Sequence, residues 1–315
     1  MSANNNSDKR VLVIGAAGQD VIGHLEAEMQ SGISNPVHVR TSYGGVARNV
    51  AENLARLGQP VSLMSVVGTD RNGEDMLAYT SAAGVDVSAV LRSDAYPTGF
   101  YMGTLNPHGH LEFAVYDMRL MTQLTPDYLK KHEALFDSAS MVFVDANLTE
   151  AALQTVIDMA HKRNIPICGD PTSSLLALRL LPHLPKFYLL TPNSVETGIL
   201  IGRTFDSSDR DMAMEAARHL VSLNISIAIV TLDEFGVCYA TPETSGHTPA
   251  IRTPIIDPTG AGDALTAAVI FALLNDIDID EAVRLGVSAA SLTLRHSGSV
   301  YPELSLEKLY DQLLI

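Results

Sequence analysis

The chain has no tryptophan and only two cysteines, Cys168 and Cys238, in 315 residues. Two thiols cannot make a disulfide scaffold, and no Cys spacing of a zinc site is present. Each sits in an apolar run, which reads as a buried thiol in a reducing compartment. Positive charge is also scarce: 21 Lys and Arg stand against 36 Asp and Glu, a formal net charge of −15. That balance disfavours sequence-independent binding to nucleic acid or to an anionic membrane, though a locally positive pocket can still hold a small phosphorylated ligand. Long hydrophobic runs are missing too. The stretch Leu265 to Leu274 is too short to span a bilayer. The N-terminal MSANNNSDKR lacks the apolar segment of a signal peptide and reads as a frayed tail. The expectation is a soluble, cytoplasmic protein.

What is present suffices for a sizeable core, since 46% of residues are hydrophobic and 18% charged. Short apolar runs suggest strands at 11–15, 61–68, 141–147, 165–171, 187–193 and 226–232. Helical patterns fill 47–57, 74–83, 150–163, 194–201 and 210–223. This alternation implies βαβ units and a mostly parallel sheet, which binds ligands beyond the C-terminal ends of its strands. Several strands end in polar residues there: Asp145 and Asn147, Asp170, Asn193, and Thr231 with Asp233. Two segments depart from the pattern. PVHVRTSY alternates, and GFYMGTLNPHGHLEFAVYDM reads as two strands about a turn. They predict a small antiparallel sheet acting as a lid, formed by about 34–43 and 92–118, on a single domain spanning 1–315. Its open edges would suit pairing with a second lid in a homodimer.

Four motifs carry chemistry. DPTGAGDA, Asp257–Ala264, stands before the apolar run LTAAVIFALL. Gly260, Ala261 and Gly262 would let an anion approach the unpaired N–H groups of a helix running to Leu274. Asp263 would face an attacking hydroxyl as general base. The plain alternative is a helix start with a dipole-favoured acid. GGVARNVAENLARLG offers Gly44 and Gly45 for close approach of a polyol and Asn49 for its hydroxyls; otherwise it is a glycine turn into an amphipathic helix. In GAAGQD, Asp20 either accepts hydrogen bonds from vicinal hydroxyls or caps a turn. In NSVE, Asn193 and Glu196 share a helix face suited to hydrated Mg²⁺ near phosphates, or form an ordinary helix cap. His108 and His110 read as a solvated turn, and DIDIDEA as a helix cap and loop rather than a Ca²⁺ site.

In this order the motifs resemble the ribokinase (PfkB-type) family of carbohydrate and nucleoside kinases, over nearly the whole chain. GGVARNVAENLARLG is similar to its N-terminal signature, DPTGAGDALTAAVI to its C-terminal one and TPNSVE to its N-x-x-E motif. TLDEFGV resembles the family's nucleotide segment, with Asp233 where glycine is usual and Thr231 and Gly236 matching. The resemblance implies a Rossmann-type three-layer α/β/α sandwich with a β lid. It implies Asp263 as base and Gly260, Ala261 and Gly262 as anion hole. Asp20, Gly44, Gly45 and Asn49 would hold sugar hydroxyls. Asn193, Glu196, Thr231 and Gly236 would serve ATP, with Glu196 reaching Mg²⁺ through water. Asp257 and Thr259 match the position of a monovalent cation such as K⁺.

Phrases outside those signatures, SNP, YDM, DANLTEAAL and DPTS, are similar to bacterial pseudouridine kinases. They imply phosphorylation of the 5′-hydroxyl of a nucleoside. Tyr43, Tyr101 and Phe113 are then candidates to wall the base, although strand alternation sends some of them elsewhere. Alternatives are a ribokinase-like sugar kinase and a non-catalytic nucleotide- or nucleoside-binding regulator.

Overall fold

The computed structural model describes residues 9–314; most of the expected frayed tail lies outside the described residues. The chain opens with β1 (Arg10–Ile14), β2 (Gly18–Leu25), β3 (Val37–Gly44) and α1 (Val46–Arg56). Next come β4 (Val61–Met64), β5 (Val66–Gly68), α2 (Arg71–Ala82), β6 (Leu91–Ser93), β7 (Gly99–Leu105) and β8 (Leu111–Asp117). The middle holds α3 (Pro126–Lys131), α4 (Ala134–Asp137), β9 (Ala139–Asp145), α5 (Glu150–Lys162), β10 (Ile167–Asp170) and β11 (Leu189–Leu190). Then follow α6 (Ser194–Ile201), α7 (Arg210–Ser222), β12 (Ile227–Thr231), β13 (Val237–Ala240) and β14 (Ser245–Thr248). Three helices finish the chain: α8 (Ala261–Leu274), α9 (Ile279–Leu294) and α10 (Leu306–Leu313).

Eight strands form the main sheet in the order β14-β13-β12-β11-β10-β9-β1-β4. From β4 to β12 every pair is parallel; β13 and β14 add an antiparallel edge. Side-chain alternation divides the core between the two faces. Val11 and Val13 of β1 and Phe143 of β9 join α1, α8 and α9 on one face. Leu12, Ile14 and Val142 join α5 and α7 on the other. The result is the three-layer α/β/α sandwich. Because β4 and β9 flank β1 on opposite sides, the chain direction switches at β1, and the crevice at its C-terminal end is where such sheets hold ligands. Among the described residues no helix is long and apolar enough to cross a membrane.

The second sheet has four strands, β3-β2-β7-β8. Its outer pairs are antiparallel and its central β2–β7 pair is parallel. The strand GQDVIGHL was not legible as part of it: two glycines, an Asp and a His interrupt the β-branched signature, so GAAGQD reads as a loop. β6, inside the expected lid range, pairs with β5 instead. The run VSLMSVVG is two strands, because the chain leaves the main sheet at Ser65, whose carbonyl accepts from Leu91 N–H. FYLLTPN contributes only a two-residue strand. The β13–β14 hairpin and α9 were unassigned from sequence. DIDIDEA leads into α9 with Asp278 as its first cap residue, as expected.

Candidate active site

Asp145, at the end of β9, organises the switch point. Its Oδ2 accepts from Ala16 N–H at 2.8 Å and Ala47 N–H at 3.1 Å, and its Oδ1 from Asn147 N–H at 2.9 Å. These bonds seat the turn after β1 and the start of α1 against each other. A Cβ on Gly44 would lie 2.1 Å from Asp20 Oδ2, so only glycine leaves room for that carboxylate. Gly45 takes φ 93°, and a Cβ there would meet the Ala16 carbonyl at 2.5 Å. The two glycines thus bring Asp20 and α1 together.

On α1 the buried Arg48 donates from Nη2 to Asn49 Oδ1 at 2.8 Å, and its Nη1 lies 2.8 Å from Glu52 Oε2. Neither Arg48 nor Glu52 was singled out from sequence; the only signal was opposite charges at i and i+4 on an amphipathic helix. With its oxygen held by arginine, the Asn49 amide points its NH₂ outward, and Nδ2 donates to Asp263 Oδ2 at 2.7 Å. Burial is the main cause that lifts the Asp263 carboxyl to about 7; Asn49 opposes the lift, while Asp20 and Asp145 add to it.

Asp263 lies in the first turn of α8. The cap residue, Gly260, is left-handed at φ 79°, and no side chain caps this helix. A Cβ on Gly260 would meet Ser299 O at 2.0 Å, whereas one on Gly262 would have nothing within 4 Å. The open side of Gly262 and Ala261 lines a cavity of about 640 Å³ shared with Asn193, Thr231, Asp233 and Gly236. A single helix end therefore presents its backbone to a large cavity and its acid to Asn49.

Asp20 projects from β2 on the Asn49 side. Its Oδ2 accepts from Ser299 Oγ at 2.8 Å, and burial raises its carboxyl to about 6. Tyr101 and Tyr116 share its face of the small sheet, in register across β7 and β8. Phe113 lies on the opposite face, 44% exposed, and Tyr43 packs on Tyr79 with ring centroids 5.2 Å apart. Of the three expected wall residues only Tyr101 is on the Asp20 side.

The nucleotide-side motifs line up on the cavity. Asn193 and Glu196 form a reciprocal capping box: Asn193 Oδ1 accepts from Glu196 N–H at 2.8 Å, and Glu196 Oε2 from Asn193 N–H at 2.9 Å. The cap uses only Oε2 of the two Glu196 carboxylate oxygens. Asp170, unassigned from sequence, is raised well above the carboxylate range by burial and then by Glu196 and Asp263, and burial raises Glu196 as well. A divalent cation fits such a crowd of acids, because it would relieve their repulsion. Among the described residues no cluster of three or more His, Cys, Asp or Glu is placed to hold a metal alone, so such an ion would need further ligands from phosphate and water. Thr231 bridges to Asn193. Asp233, where the resemblance leads one to expect glycine, has φ 51°, in the left-handed region that favours glycine.

Asp257, expected with Thr259 beside a monovalent cation, is met by two backbone N–H groups and a guanidinium. Its Oδ1 accepts from Thr259 N–H at 3.0 Å and its Oδ2 from Gly298 N–H at 2.9 Å. Arg40 Nη2, from β3, lies 2.6 Å from the same Oδ2.

Residues 8–305 match the pfkB family carbohydrate kinase description. The chain is 31% identical over 297 residues to pseudouridine kinase of Escherichia coli strain K12, covering 94% of each. A carbohydrate kinase from Agrobacterium tumefaciens is 28% identical, with a TM-score of 0.81 over 97% of both chains. Arabidopsis thaliana ribokinase complexed with ribose and ATP is 20% identical, with a TM-score of 0.83 over 98% of this chain and 99% of that one, a likeness of fold. Fold and family define a phosphotransferase with an alcohol group as acceptor. The chain belongs to the pfkB family of carbohydrate kinases.

Proposed function

We propose that this kinase transfers the γ-phosphoryl group of ATP to the 5′-hydroxyl of a nucleoside, pseudouridine giving pseudouridine 5′-phosphate. The observation that carries this reading is the divided end of α8, with Gly262 open to the large cavity and Asp263 turned to Asn49. ATP lies in the cavity with its γ-phosphoryl group against the N–H groups of Gly260–Asp263. The acceptor lies on the other side, its ribose hydroxyls on Asp20, Asn49 and the Gly44–Gly45 backbone. Asp263 takes the 5′-hydroxyl proton as the oxygen attacks phosphorus, and the helix end stabilises the charge on the transferring group. Mg²⁺, when bound, neutralises phosphate charge; Glu196 through water and Asp170 are the residues that would hold it.

The nucleoside is favoured over a free sugar by the 31% identity to an E. coli pseudouridine kinase and by the tyrosines beside Asp20. An Asp263→Asn variant is expected to lose about 10²- to 10⁴-fold in kcat while ATP binding, measured by calorimetry, changes little. Unchanged turnover would remove Asp263 as base.

Two further assignments belong to this reading. The chain acts in the cytoplasm, where ATP is available. The outer face of the small sheet, with Val37, Val39, Phe113 and Val115 exposed, pairs with a second copy.

A further inference from the structure

The loop that leads into α8 carries a buried acid, Asp257, 1% exposed, close to where a phosphate would lie. An uncompensated carboxylate there would oppose both its own burial and the anion. Three groups meet it. Two are backbone N–H groups, from Thr259 and Gly298, and the third is the Arg40 guanidinium at 2.6 Å. Only Arg40 brings a full charge. Arg40 is not a surface side chain that has drifted in. It is mostly buried, on the inner face of β3, and its Nε and Nη2 have no aligned hydrogen-bond acceptor. Its contact with Asp257 is therefore chiefly one of charge. The neighbouring loop ties the same two regions together: Gly298 N–H bonds Asp257, and Ser299 Oγ bonds Asp20 of β2.

We propose that Arg40 is the resident counter-cation of the loop before α8, so that phosphoryl transfer by this enzyme needs no monovalent cation. A strand of the small sheet supplies the charge, which ties the position of that sheet to the charge balance of the anion-binding helix end. The inference rests on the kinase activity of the family and is indifferent to which alcohol is the acceptor.

The test combines turnover with a readout that needs no turnover. ADP release is measured at constant ionic strength in KCl, NaCl and tetramethylammonium chloride, and thermal melting is followed in the same salts without substrates. For the wild type, rates in the three salts agree within about twofold and the melting temperature is the same in K⁺ and tetramethylammonium. Stimulation by K⁺ of tenfold or more, or a K⁺-specific rise in melting temperature, would overturn the proposal. Arg40→Ala opens the site: its melting temperature rises with K⁺, and its turnover becomes at least tenfold K⁺-stimulated. Arg40→Lys keeps a cation in place and stays insensitive. An Arg40→Ala protein that folds and ignores K⁺ in both readouts would equally overturn it. If Arg40→Ala does not fold, the wild-type salt comparison decides alone. If no acceptor is phosphorylated, the melting data still judge Arg40, and only the acceptor assignment fails.

Discussion

At the start of a helix a carboxylate is ordinarily favoured in its charged form, because the helix dipole attracts it. Asp263 goes the other way, to about 7, because burial outweighs the Asn49 hydrogen bond that favours the charged form. A base with that value is half-deprotonated near neutral pH, where proton acceptance is most effective. The proposed mechanism therefore predicts that kcat/KM climbs with pH, reaches a plateau above about 7, and steepens below about 6 as Asp20 also protonates. A rate independent of pH between 5 and 8 would contradict the assignment. The same shift has a consequence for stability. The folded value lies above the ordinary carboxylate value of 3.8, so the folded state holds the extra proton between those values, and stability falls as pH rises through that window. Asp263→Asn removes the cost. Its melting temperature should exceed that of the wild type at pH 8, with the gap shrinking at pH 5. Arg48→Met leaves Glu52 with Arg56 alone and takes the donor from the buried Asn49 Oδ1, and chemical denaturation should register a loss of about 1–3 kcal/mol. The key acid and its asparagine were readable because glycines and small residues announce a helix end. Arg48, Glu52 and Arg40 were not, and Asp170 was readable only as a polar strand end, since each gains its meaning from a partner that only the fold brings near.

Among the elements, α8 carries the design most plainly. Both of its bounds were legible, Gly260 before it and Leu274 at its end, because a glycine turn and an apolar run leave little choice. Its two glycines serve different purposes, and substitution separates them. Gly260→Ala forces a Cβ into Ser299 O at a left-handed residue, so it should destabilise the protein by about 1–3 kcal/mol or prevent folding. Gly262→Ala meets no atom within 4 Å and gains helix propensity. It should melt at or above the wild-type temperature while turnover falls, because the methyl enters the space proposed for the phosphoryl group. Equal losses of stability in the two variants would contradict this division. β2 shows the limit of pattern reading at this scale. Its Asp20 and Gly18 answer to the site and to neighbouring backbone rather than to strand propensity, so the residues that make it functional hide it as a strand.

Across the whole molecule, the layered parallel sheet followed directly from β-branched runs alternating with helices. The small sheet was harder, because its strands come from distant parts of the chain and its central pair is parallel. Its outer face exposes Val39 at 61% and Val115 at 48%, in a chain with a net charge of −15 that is otherwise well suited to remain dispersed. The proposed dimer should sediment at twice the chain mass of 33.8 kDa, and Val39→Asp should halve it. A wild-type monomer at tens of micromolar would remove the dimer without touching the site.

The central claim is that a nucleoside 5′-hydroxyl reaches Asp263. The most direct measurement is kcat/KM for ADP release with pseudouridine, uridine, ribose and fructose 6-phosphate as acceptors, with the phosphorylated product identified. The account predicts pseudouridine as the preferred acceptor, phosphorylated at the 5′ position. Turnover confined to ribose or fructose 6-phosphate would contradict it.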